Sequence, residues 1–310
     1  MTRDRVPVIA IEDLHVEFKT PLGRSVTAVD KLDLSVRQGE VVGFIGPNGA
    51  GKTTTIKVLM GFLKPDRGQV SVFGEAAGSI EARRRVGYLP EVAVYYPFLT
   101  AREALRLYAK LAGMPRRDRE QNISQLMEKV GLAGRERERL SGFSKGMLQR
   151  IGIAQAIMGE PELLILDEVT SGLDPVARHD VRAILMDFKS RGKTVFLSSH
   201  ELTEVALLCD RIVLLDEGKV IEEDELGHML ASSKSIVVRA QLTGSPGELP
   251  GGVIVRAAGD GEQVYAADSW EAAQDLRAHM EARGARILDV REEPPSLEDY
   301  FVRKLGHKTT

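Results

Sequence analysis

The 310-residue sequence holds a single cysteine, Cys209, so no internal disulfide can form and a reducing compartment fits. No apolar run approaches the ~20 residues that a helix needs to cross a bilayer. Any membrane pathway served by this chain is therefore expected in another chain. The opening segment, MTRDRVPVIA, lacks a long apolar stretch and does not read as a signal peptide. A basic surplus is also missing. The net charge of −3 argues against nucleic acid as a direct partner. The local basic clusters Arg83–Arg85 and Arg116–Arg119 read as solvated helix faces. No internal repeat is visible, so any site in the chain is present once.

With 43% hydrophobic and 28% charged residues, the sequence suits an ordinary folded core, and its length suits two domains. Strand-like and helix-like runs alternate through most of it, the pattern of an α/β fold with a largely parallel sheet. Val41–Ile45 is a short apolar run that stops at a glycine-rich turn, and Lys52–Met60 follows as a helix. Leu163–Leu166 and Thr194–Leu197 are apolar on both faces, as buried parallel strands are. Residues 101–158 read as a helical insert. Thr100 and Glu103 form a capping box at its start, and loops are expected at Gly113–Pro115 and Gly131–Gly134. Asp174 before Pro175 marks another helix start. Ser198 and Glu201 have capping-box spacing, which puts His200 at a strand-to-helix junction.

Beyond about residue 230 the pattern changes. Strand candidates at Ser235–Leu242, Val253–Arg256, Gln263–Ala267 and Arg286–Arg291 surround a Gly/Pro/Ser-rich stretch, Thr243–Gly252. Helices are expected near Trp270–Arg283 and over Ser296–Leu305. Residues 231–310 therefore read as a small α+β domain, with Trp270 as a packing anchor. Cys209 reads as a small buried helix residue without chemistry.

Gly46, Pro47, Asn48, Gly49, Ala50, Gly51, Lys52, Thr53 and Thr54 fit the phosphate-binding loop pattern G-x-x-x-x-G-K-[ST], after a strand and before a helix. A triphosphate carries several negative charges, and consecutive backbone N–H groups at a helix N-terminus can surround them. Glycines admit the close approach. Lys52 is expected to reach the β and γ phosphates, and the Thr53 hydroxyl to ligate Mg²⁺. Leu163–Glu168 is an apolar strand that ends in two acids. Burying both is costly unless a cation or a reaction uses them. Asp167 is the expected Mg²⁺ partner, and Glu168 the group that polarises the attacking water.

These motifs, in this order, resemble the ABC ATPase family over about residues 8–230. The segment Phe143, Ser144, Lys145, Gly146, Met147 stands where the family has its signature, with Gln149 and Arg150 matching the signature tail. The frame Leu140–Gly142 would throw that tail out of register. The resemblance implies that Ser144 and Gly146 contact the γ-phosphate held by an opposing subunit. Phe143, Lys145 and Met147 depart from the consensus. Ser171, Gly172, Leu173 and Asp174 resemble the D-loop, and His200 matches the switch histidine. Glu91 stands where the family has a glutamine that senses Mg²⁺ and water; a carboxylate there can ligate Mg²⁺ but cannot donate when ionised. Phe18 matches the aromatic that stacks on adenine, with Val29 expected beside the same ring. Tyr95, Tyr96 and Phe98 read as an exposed aromatic cluster suited to a membrane partner, or as core of the insert.

The implied architecture is a P-loop NTPase of class α/β over residues 1–230. It comprises a RecA-like core, an antiparallel β subdomain and the helical insert, followed by the C-terminal α+β domain. The implied function is ATP hydrolysis, with Glu168, His200, Lys52 and Glu91 as catalytic residues. The metal ligands are Thr53, Glu91 and Asp167. The cofactors are ATP and Mg²⁺, and the partners are membrane permease subunits and a second ATPase subunit, most simply another copy. That places the chain in the cytoplasm, against the inner face of the membrane. The tail Glu292–Gly306 resembles that of exporter-type members. The alternative is a soluble ABC ATPase acting in translation or DNA repair; such proteins usually carry two nucleotide domains or a long coiled-coil insert, and neither is visible.

Overall fold

Alternation of short apolar runs with amphipathic helices yields three sheets in the computed structural model, which describes residues 6–19, 23–171, 173–232, 235–242, 245–259, 261–294 and 296–305. The chain divides into two compact units between Glu223 and Asp224.

In the first unit, β1 (Ile9–Lys19) and β2 (Ser25–Val36) pair antiparallel and precede β3 (Val41–Ile45), which is buried along its whole length. The P-loop turn and helix α1 (Lys52–Leu59) follow. Strands β4 (Arg67–Val72) and β5 (Glu75–Ala76) complete an antiparallel sheet of order β2-β1-β4-β5. After α2 (Ile80–Arg83), strand β6 (Val86–Leu89) enters the second sheet. The helical insert then holds α3 (Ala101–Leu111), α4 (Arg116–Lys129), a 3₁₀ turn at Leu140–Gly142 and α5 (Lys145–Ala156). The chain returns through β7 (Leu163–Asp167), α6 (Pro175–Ser190), β8 (Thr194–Ser199), α7 (Leu202–Leu208), β9 (Arg211–Asp216) and β10 (Lys219–Glu225).

The central sheet has the order β10-β9-β3-β8-β7-β6, and β9, β3, β8, β7 and β6 run parallel to one another. Strands β3, β7 and β8 are buried at every residue, as strands covered on both faces must be. Their C-terminal ends therefore lie side by side, with Ile45 opposite Ser199 and Asp167 opposite Ser198. Ligands in open parallel sheets collect at such ends.

Capping explains several boundaries. The Thr100–Glu103 box is present in both directions, and Asp174 Oδ1 accepts from the Ala177 amide at 2.8 Å, with Pro175 at the first helical position. The Ser198–Glu201 box is not formed. Ser198 is still in strand β8 and its hydroxyl is turned to Asp167; α7 starts at Leu202 without a side-chain cap. The cluster Arg83–Arg85 is not one helix face. Arg85 lies beyond α2, forks onto Glu162 at 2.7 and 2.9 Å, and lies 3.6 Å over the Phe73 ring. Cys209 sits just past α7 and is buried, which pushes its thiol far up.

The second unit holds α8 (Leu226–Ser232), β11 (Ser235–Gln241), β12 (Val253–Gly259), β13 (Glu262–Ala267), α9 (Trp270–Glu281), β14 (Arg286–Glu293) and α10 (Leu297–Leu305). Helix α8 packs with α10, so it belongs here and the division falls before residue 230. The four strands form an antiparallel sheet of order β12-β13-β11-β14. Its core gathers Ile236, Val238, Tyr265, Leu276 and Met280. Trp270 is not the anchor: it opens α9 with 48% of its surface exposed, while Tyr265 is fully buried.

Candidate functional site

The turn between β3 and α1 is shaped by glycines with distinct roles. A Cβ on Gly46 would stand 2.3 Å from the Leu215 carbonyl oxygen, and one on Gly51, at φ +101°, would stand 2.5 Å from the Ala28 oxygen. Both positions are closed to any side chain. Gly49, at φ +84°, has nothing within 4 Å of that point, so only its backbone conformation favours glycine. The cavity measures about 560 Å³ and is lined by Val26, Thr27 and Ala28, by Asn48 to Thr54, and by Glu91, Glu168, Ser171 and His200.

Lys52 is buried, and its Nζ donates to the Gly46 and Pro47 carbonyls at 2.7 and 3.2 Å. The same nitrogen lies 3.4 Å from Glu168 Oε1. A buried ammonium without such partners would be costly. Glu168 is 8% exposed and has φ +50°, a left-handed backbone that costs a residue with a Cβ about 1–2 kcal/mol. In that conformation its other oxygen, Oε2, meets His200 Nδ1 at 2.5 Å and accepts from the His200 amide at 3.3 Å. One carboxylate thus joins the P-loop lysine to the end of β8.

Asp167 is 1% exposed and accepts from Ser198 Oγ at 2.6 Å and Thr53 Oγ1 at 3.3 Å. Ser198 Oγ also accepts from the Glu168 amide at 3.0 Å. The Thr53 hydroxyl and the Asp167 carboxylate are hard oxygen donors, the type that Mg²⁺ takes together with phosphate oxygens and water. Burial, and then the nearby Asp167 charge, push the Tyr88 phenol up to about 12.

The structure brings together most residues singled out from sequence, but not all. Val29 is fully buried in the core beneath the loop and presents nothing to a base. The exposed aliphatic on β2 is Val26, the cross-strand partner of Phe18; they are 53% and 44% exposed. Val29 instead faces Val16, two residues before Phe18 on β1. Ser144 is the N-cap of α5, with its Oγ accepting from the Met147 amide at 3.3 Å. It lines a separate cavity of about 300 Å³ with Gly146, Met147 and Asp174. Phe143 and Leu173 are buried, so their side chains serve packing. Gly172 lies outside the described residues.

The aromatic cluster after Glu91 splits. Tyr95 turns inward, donating from its hydroxyl to Gln155 Oε1 at 3.2 Å, while Tyr96 and Phe98 remain exposed beside Val92 and Val94. Sequence reasoning missed Ser198 as a partner of Asp167; it placed Gln149 in the signature tail without the bond that its Nε2 donates to the Val169 carbonyl at 2.9 Å.

Comparison with known proteins agrees with this geometry. The family model described as ABC transporter matches residues 29–171. An uncharacterized ABC transporter ATP-binding protein of Synechocystis sp. is 37% identical over 93% of this chain and 81% of its own length. The bacitracin transport ATP-binding protein of Bacillus licheniformis is 36% identical over 94% of this chain and 96% of its own. The Nod factor export ATP-binding protein I of Rhizobium sp. is 34% identical over 90% and 92%. The solved structure of an ATP-binding subunit of an ABC transporter superposes with a TM-score of 0.65 at 33% identity, covering 72% of this chain and 92% of that one. A P-loop at the end of a parallel strand, a carboxylate bridging its lysine to a histidine, and likeness to these relatives over most of their length have one explanation: the chain belongs to the ATP-binding, ATP-hydrolysing proteins of ABC transporters.

Proposed function

We propose that this chain energises export through separate membrane permease subunits, by closing on ATP as a dimer and opening after hydrolysis. The reading rests on Glu168, whose two oxygens meet Lys52 and His200 at 3.4 and 2.5 Å beside the P-loop cavity. Backbone N–H groups of Gly49–Thr53 receive the phosphates, and the Lys52 ammonium neutralises their β and γ oxygens. Phe18 and Val26 offer an apolar face to adenine. Thr53 and Asp167 would hold Mg²⁺, with Glu91 close to the same cavity; when bound, the ion offsets charge on the phosphate oxygens. Glu168 orients and polarises the attacking water, and His200 holds that carboxylate and faces the γ-phosphate. The partner subunit's Ser144 and Gly146 complete the site, because Ser144 heads a helix whose first amides suit an anion.

The bacitracin transport and Nod factor export relatives support export over a soluble role in translation or DNA repair. No helix among the described residues is long and apolar enough to cross a membrane, which fits a need for permease partners. The exposed group Val92, Val94, Tyr96 and Phe98 is the surface we assign to them, at the inner face of the membrane. The unit that begins at Asp224 acts as an accessory domain.

Replacing Glu168 with Gln tests the centre of this reading. ATP still binds, turnover nearly stops and an ATP-bound dimer accumulates, read by phosphate release and size-exclusion chromatography. Undiminished turnover would overturn the role of Glu168. Purification from membranes tests the partner: a polytopic membrane protein should copurify, whereas recovery of ribosomes or DNA-repair proteins would overturn export.

A further inference from the structure

We propose that Gln149 is a positioning residue for Glu168, holding the backbone on the far side of that carboxylate from Ser198. The inference rests on the assignment of Glu168 above.

Glu168 adopts φ +50°, a conformation that an L-residue with a side chain keeps only where its surroundings enforce it. On the preceding side, the Glu168 amide donates to the Ser198 hydroxyl and carbonyl at 3.0 and 3.2 Å. On the following side, the Val169 carbonyl accepts from Gln149 Nε2 at 2.9 Å. The peptide before Glu168 is thus held by a strand, and the peptide after Val169 by a helix. Gln149 is 7% exposed, and Val169 is buried with it. A packing role alone would be met by methionine or leucine. A buried amide aimed at a main-chain carbonyl instead fixes a direction, because an unpaired carbonyl there would be penalised.

Gln149 lies on α5, the helix capped by Ser144. A Cβ on Gly146 of that helix would stand 3.8 Å from Leu173 Cδ2, so α5 meets the segment after Glu168 at a second, apolar point. The bond from Gln149 links the helix that begins at Ser144 to the backbone next to the carboxylate of the same chain.

The test compares steady-state ATP hydrolysis by the full chain and by its Gln149→Met, Glu168→Gln and doubly substituted variants, with near-ultraviolet circular dichroism and thermal melting for each. For Gln149→Met, kcat should fall about tenfold while KM for ATP stays within about twofold, because the loss falls on the group facing the reacting water. In the Glu168→Gln background the same substitution should remove nothing further from the residual single-turnover rate, since the carboxylate it positions is gone. Wild-type kcat in a folded Gln149→Met protein would overturn the proposal, as would a further tenfold loss on top of Glu168→Gln. If Gln149→Met does not fold, Gln149→Leu answers the same question. Normal turnover by Glu168→Gln alone would instead sink the assignment of Glu168, which separates the two failures.

Discussion

Ser198 Oγ donates to Asp167 Oδ1 at 2.6 Å and accepts from the Glu168 amide at 3.0 Å, so one hydroxyl orders both acids at the end of β7. The serine is fully buried and the aspartate nearly so. Ser198→Ala removes one of the two side-chain donors to a buried carboxylate and one of the two acceptors of the Glu168 amide. The expected cost is about 2 kcal/mol of stability. Turnover should fall about tenfold with little change in KM for ATP, as when an interaction made chiefly in the transition state is lost. Thermal melting and steady-state kinetics measure both. An unaltered kcat would mean that Asp167 and Glu168 hold their places without Ser198.

The two positive-φ glycines of the P-loop should respond differently to the same change. Gly51→Ala places a methyl 2.5 Å from the Ala28 oxygen in a backbone region disfavoured for alanine. A destabilisation of about 2–3 kcal/mol is expected, together with loss of ATP binding. Gly49→Ala meets no neighbouring atom, so only the conformational cost of about 1 kcal/mol applies to the fold. Gly49 nonetheless lines the P-loop cavity, so ATP affinity should fall while the melting temperature changes little. Equal melting temperatures for the two variants would contradict this distinction.

Phe18 and Val29 separate binding from packing. Phe18→Ala removes an exposed ring paired with Val26 and should weaken ATP binding by about 1 kcal/mol, roughly fivefold, with stability nearly unchanged. Val29→Ala opens a cavity in the core beneath the loop and should cost about 2 kcal/mol of stability with KM for ATP preserved. Titration of a fluorescent ATP analogue, alongside thermal melting, distinguishes the pair. The reverse assignment of effects would restore Val29 as the neighbour of adenine.

Local chemistry explains which of these features were legible in sequence. Val41–Ile45 reads directly as a buried strand, and Asp174–Pro175 reads as a helix start, because each depends on a few adjacent residues. Lys52, Asp167 and Glu168 were legible because a phosphate-binding loop and an apolar strand ending in two acids each carry their chemistry in a few adjacent residues, whereas His200 was legible through the resemblance to ABC ATPases. Ser198 misled because Ser-x-x-Glu spacing is shared by a helix cap and by a strand end followed by a tight turn; its partner Asp167 comes from another strand. Val29 misled because a place on β2 does not tell which face its side chain takes: it lies opposite Val16 and is buried, three residues along from Val26, the partner of Phe18. Trp270 misled because size alone does not decide burial when its place is the first position of α9.

That exposed tryptophan makes the second unit separately observable. Trp270 is the one tryptophan in the chain, so its fluorescence reports on the unit beyond Asp224. There, Asp299 accepts from Arg256 Nε at 2.9 Å, from Arg256 Nη2 at 2.5 Å and from Ser235 Oγ at 2.6 Å, tying α10 to β11 and β12. Burial opposes ionisation of Asp299, but the bonds from Arg256 and Ser235 outweigh it and hold the carboxyl below its ordinary range. Glu293 is lowered in the same sense by Arg256, then Arg291. A depressed folded value means that stabilisation is complete above the unfolded pKa of about 4 and is lost as pH falls through the folded value. The tryptophan-monitored unfolding midpoint should therefore hold steady near neutrality and drop only in strong acid. Asp299→Asn breaks a buried ion pair and should cost about 3 kcal/mol at pH 7, with a shallower acid dependence than the native chain. A midpoint that falls with acid just as steeply in Asp299→Asn would place the titrating group elsewhere.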